Sequence, residues 1–295
     1  MKYISFVILH YKDIQVTDTC VQSILAMEQQ ERIRIVVVDN DIQKSEEERN
    51  ELLQKYQDNS RIKVLQIKEN GGFSYANNRG YMYAKEHFGA GYILVLNNDI
   101  QFIQKDFISI LESSYQNNPC HILGPDVIRE GTKEHQNPMA TRLRTKEEAR
   151  YTIKMNRLAL RFYPVMYPIV YNMLRKAERD KAANQEQQIR LSSQIQKDIV
   201  PFGACLIFTP LFVEKEQKAF DPETQFFYEE YILALRCQRE GYKVVYDPAM
   251  TVYHESGAAT KKSYGTEKKR IRFMLEKTAG ACEVYLGMVE DEKFI

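Results

Sequence analysis

Tyr92-Ile93-Leu94-Val95-Leu96-Asn97-Asn98-Asp99 decides how the rest of the chain is read. Its apolar run suits a strand covered on both faces, and the run stops abruptly at three polar residues. In an open α/β sheet the ligand crevice lies just beyond the carboxyl ends of the strands. Asp99 therefore stands where a carboxylate can hold a cation against a phosphate. Asn-Asn-Asp is also a turn sequence, because these side chains bond their own backbone. Neighbouring stretches decide between the two.

Toward the amino end, Ile62 to Ile67 reads as a strand, Asn70-Gly71-Gly72-Phe73 as a glycine loop and Tyr75 to His87 as a helix. Ile33 to Val38 is another strand, ending in Asp39-Asn40-Asp41, and the acidic Ser45-Glu46-Glu47-Glu48 opens the helix after it. Tyr3 to Leu9 is the first strand; His10-Tyr11-Lys12-Asp13 is turn-like, and Val16, Cys20, Ile24 and Met27 recur at helical spacing. Toward the carboxyl end, His121-Ile122-Leu123 suggests a fifth strand. This alternation predicts an α/β fold with a mostly parallel sheet flanked by helices. Tyr11, Asp39 and Asn97 to Asp99 then gather along one edge.

Beyond Arg129 the rhythm breaks. Arg142 to Lys181 holds eleven Lys or Arg and four acids, a net +7 in a chain whose total is +1. Within it, Leu158 to Leu174 is apolar and tyrosine-rich with Arg161, Pro164 and Pro168 interrupting, which excludes a spanning helix. Such a segment suits the interface of an anionic membrane, over residues 150–180, or ordinary packing with solvated cations. Glu178 to Asp198 is polar and reads as an exposed helix or linker. The run Pro201 to Phe208 holds a buried strand preceded by the glycine Gly203, and Phe226 to Arg236 opens a helix stopping near Gly241. Lys243 to Tyr246 and Met250 to Tyr253 are two short strands, the second running into His254-Glu255-Ser256-Gly257, and Glu267 to Glu290 is helical.

The expected divisions are 1–128, an α/β half; 129–199, a helical basic insertion; 200–260, a second half that carries the late strands; and 261–295, a helical tail. The overall charge gives no reason to expect nucleic acid. Five scattered cysteines form no C-x-x-C pair, which fits a reducing compartment, and Ile4 to Leu9 is too short for a signal peptide. The expected location is cytoplasmic. Oligomeric state is not legible.

The ordered motifs resemble inverting glycosyltransferases of family 2, especially the bacterial rhamnosyl- and galactofuranosyltransferase-like branch. They are Ile8-Leu9-His10-Tyr11-Lys12, Val37-Val38-Asp39-Asn40, Asn70-Gly71-Gly72-Phe73 with Asn77-Asn78-Arg79-Gly80, Asn97-Asn98-Asp99, Phe226-Phe227-Tyr228-Glu229-Glu230 with Leu233 and Arg236, and Val252-Tyr253-His254-Glu255-Ser256-Gly257. They cover most of 1–126 and 201–257. The resemblance implies a GT-A (Rossmann-like) fold and a UDP- or dTDP-sugar donor, with Asp99 and His254 as ligands of a divalent cation, Mn²⁺ or Mg²⁺. It implies that Asp39 accepts the base N–H, Tyr11 lies near the base, Asn97 faces the ribose, and Gly71, Asn78 and Asn98 help bind the nucleotide sugar. Glu230 takes the general-base position and Glu229 orients it or meets the acceptor, a glycan or polyprenyl-linked glycan. Asn97 stands where the family has Asp, Glu230 is one methylene longer than the family's Asp, and Ile232 replaces a further Asp. These departures motivate an alternative, a catalytically weak nucleotide-sugar-binding subunit of a glycan-assembly complex. A dinucleotide oxidoreductase is disfavoured, since Asn70-Gly71-Gly72 lacks the G-x-G-x-x-G spacing.

Overall fold

The quoted stretch forms strand β4 (Ala90–Asn97), buried from Ala90 to Leu96 as its composition requires. In the computed structural model, which describes residues 2–69, 71–183, 189, 192–255 and 266–291, β4 lies at the middle of a mixed sheet. Asn70, Ser256 and Gly257 of the quoted motifs fall outside the described residues. On one side of β4 stand β1 (Tyr3–His10), β2 (Ile33–Asp39) and β3 (Ile62–Gln66), all parallel to it. On the other side come β8 (Cys205–Phe208), β6 (Ile122–Arg129), β9 (Val244–His254) and β5 (Ile100–Phe102), with β7 (Gln196–Lys197) also paired to β9.

The second half departs from the parallel expectation. β8 runs antiparallel to both β4 and β6, β6 and β9 are parallel, and β5 is antiparallel to β9. Hydrophobicity records burial and not direction, so Cys205-Leu206-Ile207-Phe208 reads the same either way. The two late strands are one, β9, whose pairing with β6 shifts register at Pro125/Asp126. The fifth strand extends to Arg129, and β5 is too short to show a period.

Helices cover both faces. α1 (Ile14–Leu25), α2 (Glu46–Tyr56) and α4 (Phe107–Asn117) pack on the face that presents Ile4, Phe6 and Ile8; α3 (Phe73–Phe88), α7 (Pro210–Lys215) and α8 (Glu229–Arg239) pack on the face of Val7, Val36 and Val38. The acidic opening of α2 is a capping box between Ser45 and Glu48, which satisfies amide donors at the helix start. The basic region folds as α5 (Lys146–Arg161) and α6 (Tyr163–Ala183), with Phe162 between them. Both contact α9 (Glu267–Glu290): Ala149 of α5 shares a cluster with Tyr228, Tyr231, Cys282 and Tyr285, and Ala159 and Tyr163 share one with Ile271 and Leu275. The basic region is thereby tied to α8 through α9. No helix among the described residues is long and apolar enough to cross a membrane.

Candidate functional site

The carboxyl ends of β2, β1 and β4 stand level, His10 opposite Asp39 and Leu9 opposite Asn97. Two strand spacings separate Asp39 from Asn97, about 10 Å. Asp39 is buried; its Oδ2 accepts from Arg49 Nε at 2.9 Å and its Oδ1 from the Asp41 amide at 3.1 Å. Arg49 also donates to the Ile67 carbonyl, so the carboxylate is clamped between α2 and the β2 end.

Between these strands His10, read from sequence as part of a turn, is the buried last residue of β1. Thr17 Oγ1 donates to the Asp13 carbonyl and receives Asn98 Nδ2 at 3.0 Å; His10 Nδ1 lies 2.7 Å from it. With the hydroxyl proton committed, the His10 proton falls on Nδ1, and Nε2 faces Lys44 Nζ at 3.4 Å. Burial first, and then the Lys44 charge, lower the His10 pKa to about 4. Lys44 in turn donates to the Lys12 carbonyl, fastening the loop that carries Tyr11. Tyr11 itself is half-buried, with Lys12 Nζ 5.3 Å from its ring centre.

Asp99 and His254 meet because β5 and β9 pair with Ile100 opposite His254 and the Glu255 amide donates to the Asp99 carbonyl. Asp99 Oδ1 lies 3.2 Å from His254 Nε2, and both side chains are buried. His254 Nδ1 lies 2.7 Å from Gln136 Oε1, an acceptor, which places a proton on Nδ1. Nε2 and a carboxylate oxygen then confront each other, and only a proton or a cation between them makes that arrangement favourable. An oxygen and an imidazole nitrogen suit Mn²⁺ or Mg²⁺ with further positions left to phosphate and water. Among the described residues no group of three or more His, Cys, Asp or Glu encloses a metal, so the pair is a partial shell.

α8 opens after two consecutive non-glycine residues in the left-handed region, Phe227 (φ 67°) and Tyr228 (φ 64°). That turn costs roughly 1–3 kcal/mol per residue, and it sets Glu229 and Glu230 at the positive end of the helix. Glu229 is buried near Ser74, Phe220 and Pro222, and its Oε2 has no hydrogen-bond partner among the described residues. Burial, and then the charge of Glu230, raise its pKa well above the usual carboxylate value. Glu230 is also raised by burial, while its own amide and that of Gly203 donate to it and oppose the rise.

Three consecutive residues join these groups. The Phe202 ring lies edge-on to His254, centroids 5.9 Å apart; Gly203 lies against the Glu230 carboxylate; the Ala204 carbonyl accepts the Asn97 amide at 3.0 Å. Asp39, Asn97, Asp99, Glu230 and His254 thus share one sheet edge. Asn78 and Asn98 instead turn inward: Asn78 bonds the Phe220 carbonyl at 2.7 Å, the Phe220 amide at 3.0 Å and Glu223 at 3.0 Å, and Asn98 bonds Thr17. Gly71 packs on the Tyr75 ring. Gly72 (φ +92°) lets the loop lie on the Gln225 backbone, just ahead of the α8 turn. Arg49, Gln136, Phe202 and Gly203 were not singled out as site residues. Only Gly203, a glycine heading an apolar run, left a sequence signal.

Residues 5–180 match the model of Glycosyl transferase family 2, more than half of the chain. The chain belongs to that family. The match runs on through α5 and most of α6, beyond the motifs quoted, and stops before Glu229, Glu230 and His254. No curated protein matches the sequence. Among solved structures this family member is similar to S. aureus TarS 1–349, with TM-score 0.53 and 11% identity over 99% of this chain and 74% of that one. The UDP complex of the same fragment gives 0.52 and 13%, over 86% and 60%. GalNAc-T7 with UDP, GalNAc and Mn²⁺ gives 0.54 and 14%, over 86% of this chain and 44% of that one. At such identities the likeness is one of fold, and this family member spans less than half of the GalNAc-T7 chain.

Proposed function

We propose that this family 2 member transfers one sugar, with inversion, from a UDP- or dTDP-sugar to a glycan or polyprenyl-linked glycan, in bacterial surface polysaccharide synthesis at the cytoplasmic face of the membrane. The rhamnosyl- and galactofuranosyltransferase-like branch is our preferred placement, on the motifs alone. The observation that carries the reading is the run Phe202-Gly203-Ala204, which touches His254, Glu230 and Asn97 in succession.

In this reading Asp39, rigid on Arg49, accepts the N–H of the base, Tyr11 flanks the base, and Asn97 faces the ribose. Asp99 and His254 would hold a divalent cation, which when bound neutralises charge on a departing diphosphate. Glu230 removes the proton of the acceptor hydroxyl as that oxygen attacks the anomeric carbon from the face opposite the diphosphate. The new carbon–oxygen bond forms as the bond to the phosphate breaks, and the proton resides on Glu230. A carboxylate with a raised pKa suits this task, worth roughly 10²- to 10⁴-fold in rate. Glu229, buried beside Glu230 at the α8 start, orients it or meets the acceptor. Asn78 and Asn98 act through the loops they tie.

A thermal-shift panel of UDP, dTDP, GDP and their sugars with Mn²⁺ tests the donor, because a ligand that binds only the folded state raises its stability. The expected result is stabilisation by one pyrimidine diphosphate, abolished by Asp39→Asn. Indifference to every nucleotide would remove the proposal. Asn97 in place of an acid favours one other reading, a binding subunit with weak catalysis. Nucleotide binding without turnover of any donor would select it.

A further inference from the structure

α6 has two apolar faces, and among the described residues only one is covered. Tyr163, Tyr167, Val170 and Leu174 pack toward Ile271 and Leu275 of α9, where Tyr163 Oη donates to the Lys268 carbonyl and Lys268 and Arg272 lie over the Tyr167 and Tyr163 rings. The tyrosines that made the segment look interfacial are therefore largely spent inside the protein. On the other face of α6 Val165 (74% exposed), Ile169 (50%) and Met173 (66%) lie in solvent, joined by Phe162 (51%) at the junction of the two helices and Leu158 (41%) in the last turn of α5. Within α6 the spacing of four residues aligns Val165, Ile169 and Met173 in one stripe, about 12 Å long at 1.5 Å per residue, and Phe162 and Leu158 continue the apolar surface beyond its start. A surface helix ordinarily turns polar residues that way.

Charge selects the occupant. Residues 151–176 contain Lys154, Arg157, Arg161, Arg175 and Lys176 and no Asp or Glu. The cations stand at both ends of the stripe. Arg157 is paired with Glu283 across to α9, but both groups are exposed, so the pair constrains it weakly. A second copy seated on the stripe would bring the same patch against itself, and with both ends basic either orientation sets cation against cation. An anionic bilayer offers what the stripe lacks, negative headgroups for the five cations and acyl chains for the five apolar side chains.

We infer that this face of α5 and α6 docks the protein on anionic phospholipid, lying in the plane of the interface. The inference goes beyond the proposed transfer reaction and needs no donor or acceptor to be tested. The face is joined through α9 to the cluster that holds Tyr228 and Tyr231 of the α8 start, so docking would orient the candidate site relative to the bilayer.

The experiment is flotation of the full chain with phosphatidylglycerol/phosphatidylcholine vesicles and with phosphatidylcholine alone, with solution mass measured in parallel. Wild type is expected to float with the anionic vesicles only and to be released by salt. Val165→Glu/Ile169→Glu/Met173→Glu should abolish flotation. Arg161→Glu/Lys176→Glu should weaken partition by at least about 25-fold, roughly five-fold for each cation lost. Both variants should melt as wild type, since the altered side chains are exposed. The charge variant reads the surface even if the triple variant misfolds. Wild type that does not float, that floats equally with neutral vesicles, or whose flotation survives both variants overturns the inference. So does a wild-type dimer that the triple variant dissociates.

Discussion

Replacing Gly203 by alanine would place a methyl carbon 2.6 Å from Glu230 Oε1 and 3.2 Å from its Cδ and Cγ. Carbon atoms in contact settle near 3.5–4.0 Å, so the carboxylate must retreat by roughly 0.5–1 Å. The obstructing atom is the end of a flexible side chain, and Gly203 has no positive φ that alanine would resist. Overpacking a buried site ordinarily costs roughly 1–3 kcal/mol, and with only a side-chain end to displace the loss of stability should lie at the low end, about 1 kcal/mol, so the fold is kept. A catalytic group misplaced by 1 Å costs roughly 10²-fold in rate, about 2.7 kcal/mol of barrier. Turnover of the donor chosen by the thermal-shift panel should fall by that factor while nucleotide-linked stabilisation persists, because Asp39 and its Arg49 clamp are untouched. Glu230→Gln should lose roughly 10²- to 10⁴-fold, and adding Gly203→Ala to it should cost nothing further, as the two changes act on one group. Unchanged turnover in Gly203→Ala, or full additivity in the double variant, would refute the assignment of Glu230 as base.

Two further outcomes follow from groups behind the site. His10 titrates near 4 when folded against an ordinary value of 6.5, so the unfolded chain takes the proton first as pH falls. That contribution to stability is complete above pH 6.5 and is lost between 6.5 and about 4, up to about 3 kcal/mol; urea titrations across this range should show a loss that His10→Asn flattens, and parallel curves would contradict the burial argument. Gln136→Ala should free the His254 ring and weaken Mn²⁺-dependent stabilisation of the nucleotide-bound protein by roughly 10- to 100-fold in Mn²⁺ concentration, whereas an unchanged Mn²⁺ midpoint would deny Gln136 that role.

The amino-terminal half was legible because all its strands but the short β5 announce themselves locally: Ile33 to Val38 and Tyr92 to Leu96 are largely buried, and polar clusters mark where they end. The candidate site was legible where a residue type stands at such an end, as Asp39 and Asp99 do, or falls in one of the ordered motifs, as Glu230 does. What supports those residues was not, because the supports are remote in sequence. Gln136 holds His254 across 118 positions, and Asn78 holds Phe220 across 142. A buried amide that ties two loops and an amide that binds a ligand look alike in sequence, so nothing local announced that Asn78 bonds Phe220 and Asn98 bonds Thr17.

The direction of β8 has the largest consequence for the site. Leu96 is paired with Cys205 and Ile93 with Phe208, so the chain enters β8 at the edge where β4 ends. Antiparallel pairing is what delivers Phe202, Gly203 and Ala204 to His254, Glu230 and Asn97. Were β8 parallel, the residues after Phe208 would meet Asn97, and Gly203 would stand at the far edge, level with Gly91 and about 20 Å from Asn97 at 3.3 Å per residue. The Glu230 carboxylate would then lose the Gly203 amide that opposes the rise of its pKa. The same four apolar residues thus fill the core in either direction, and only one direction builds this edge.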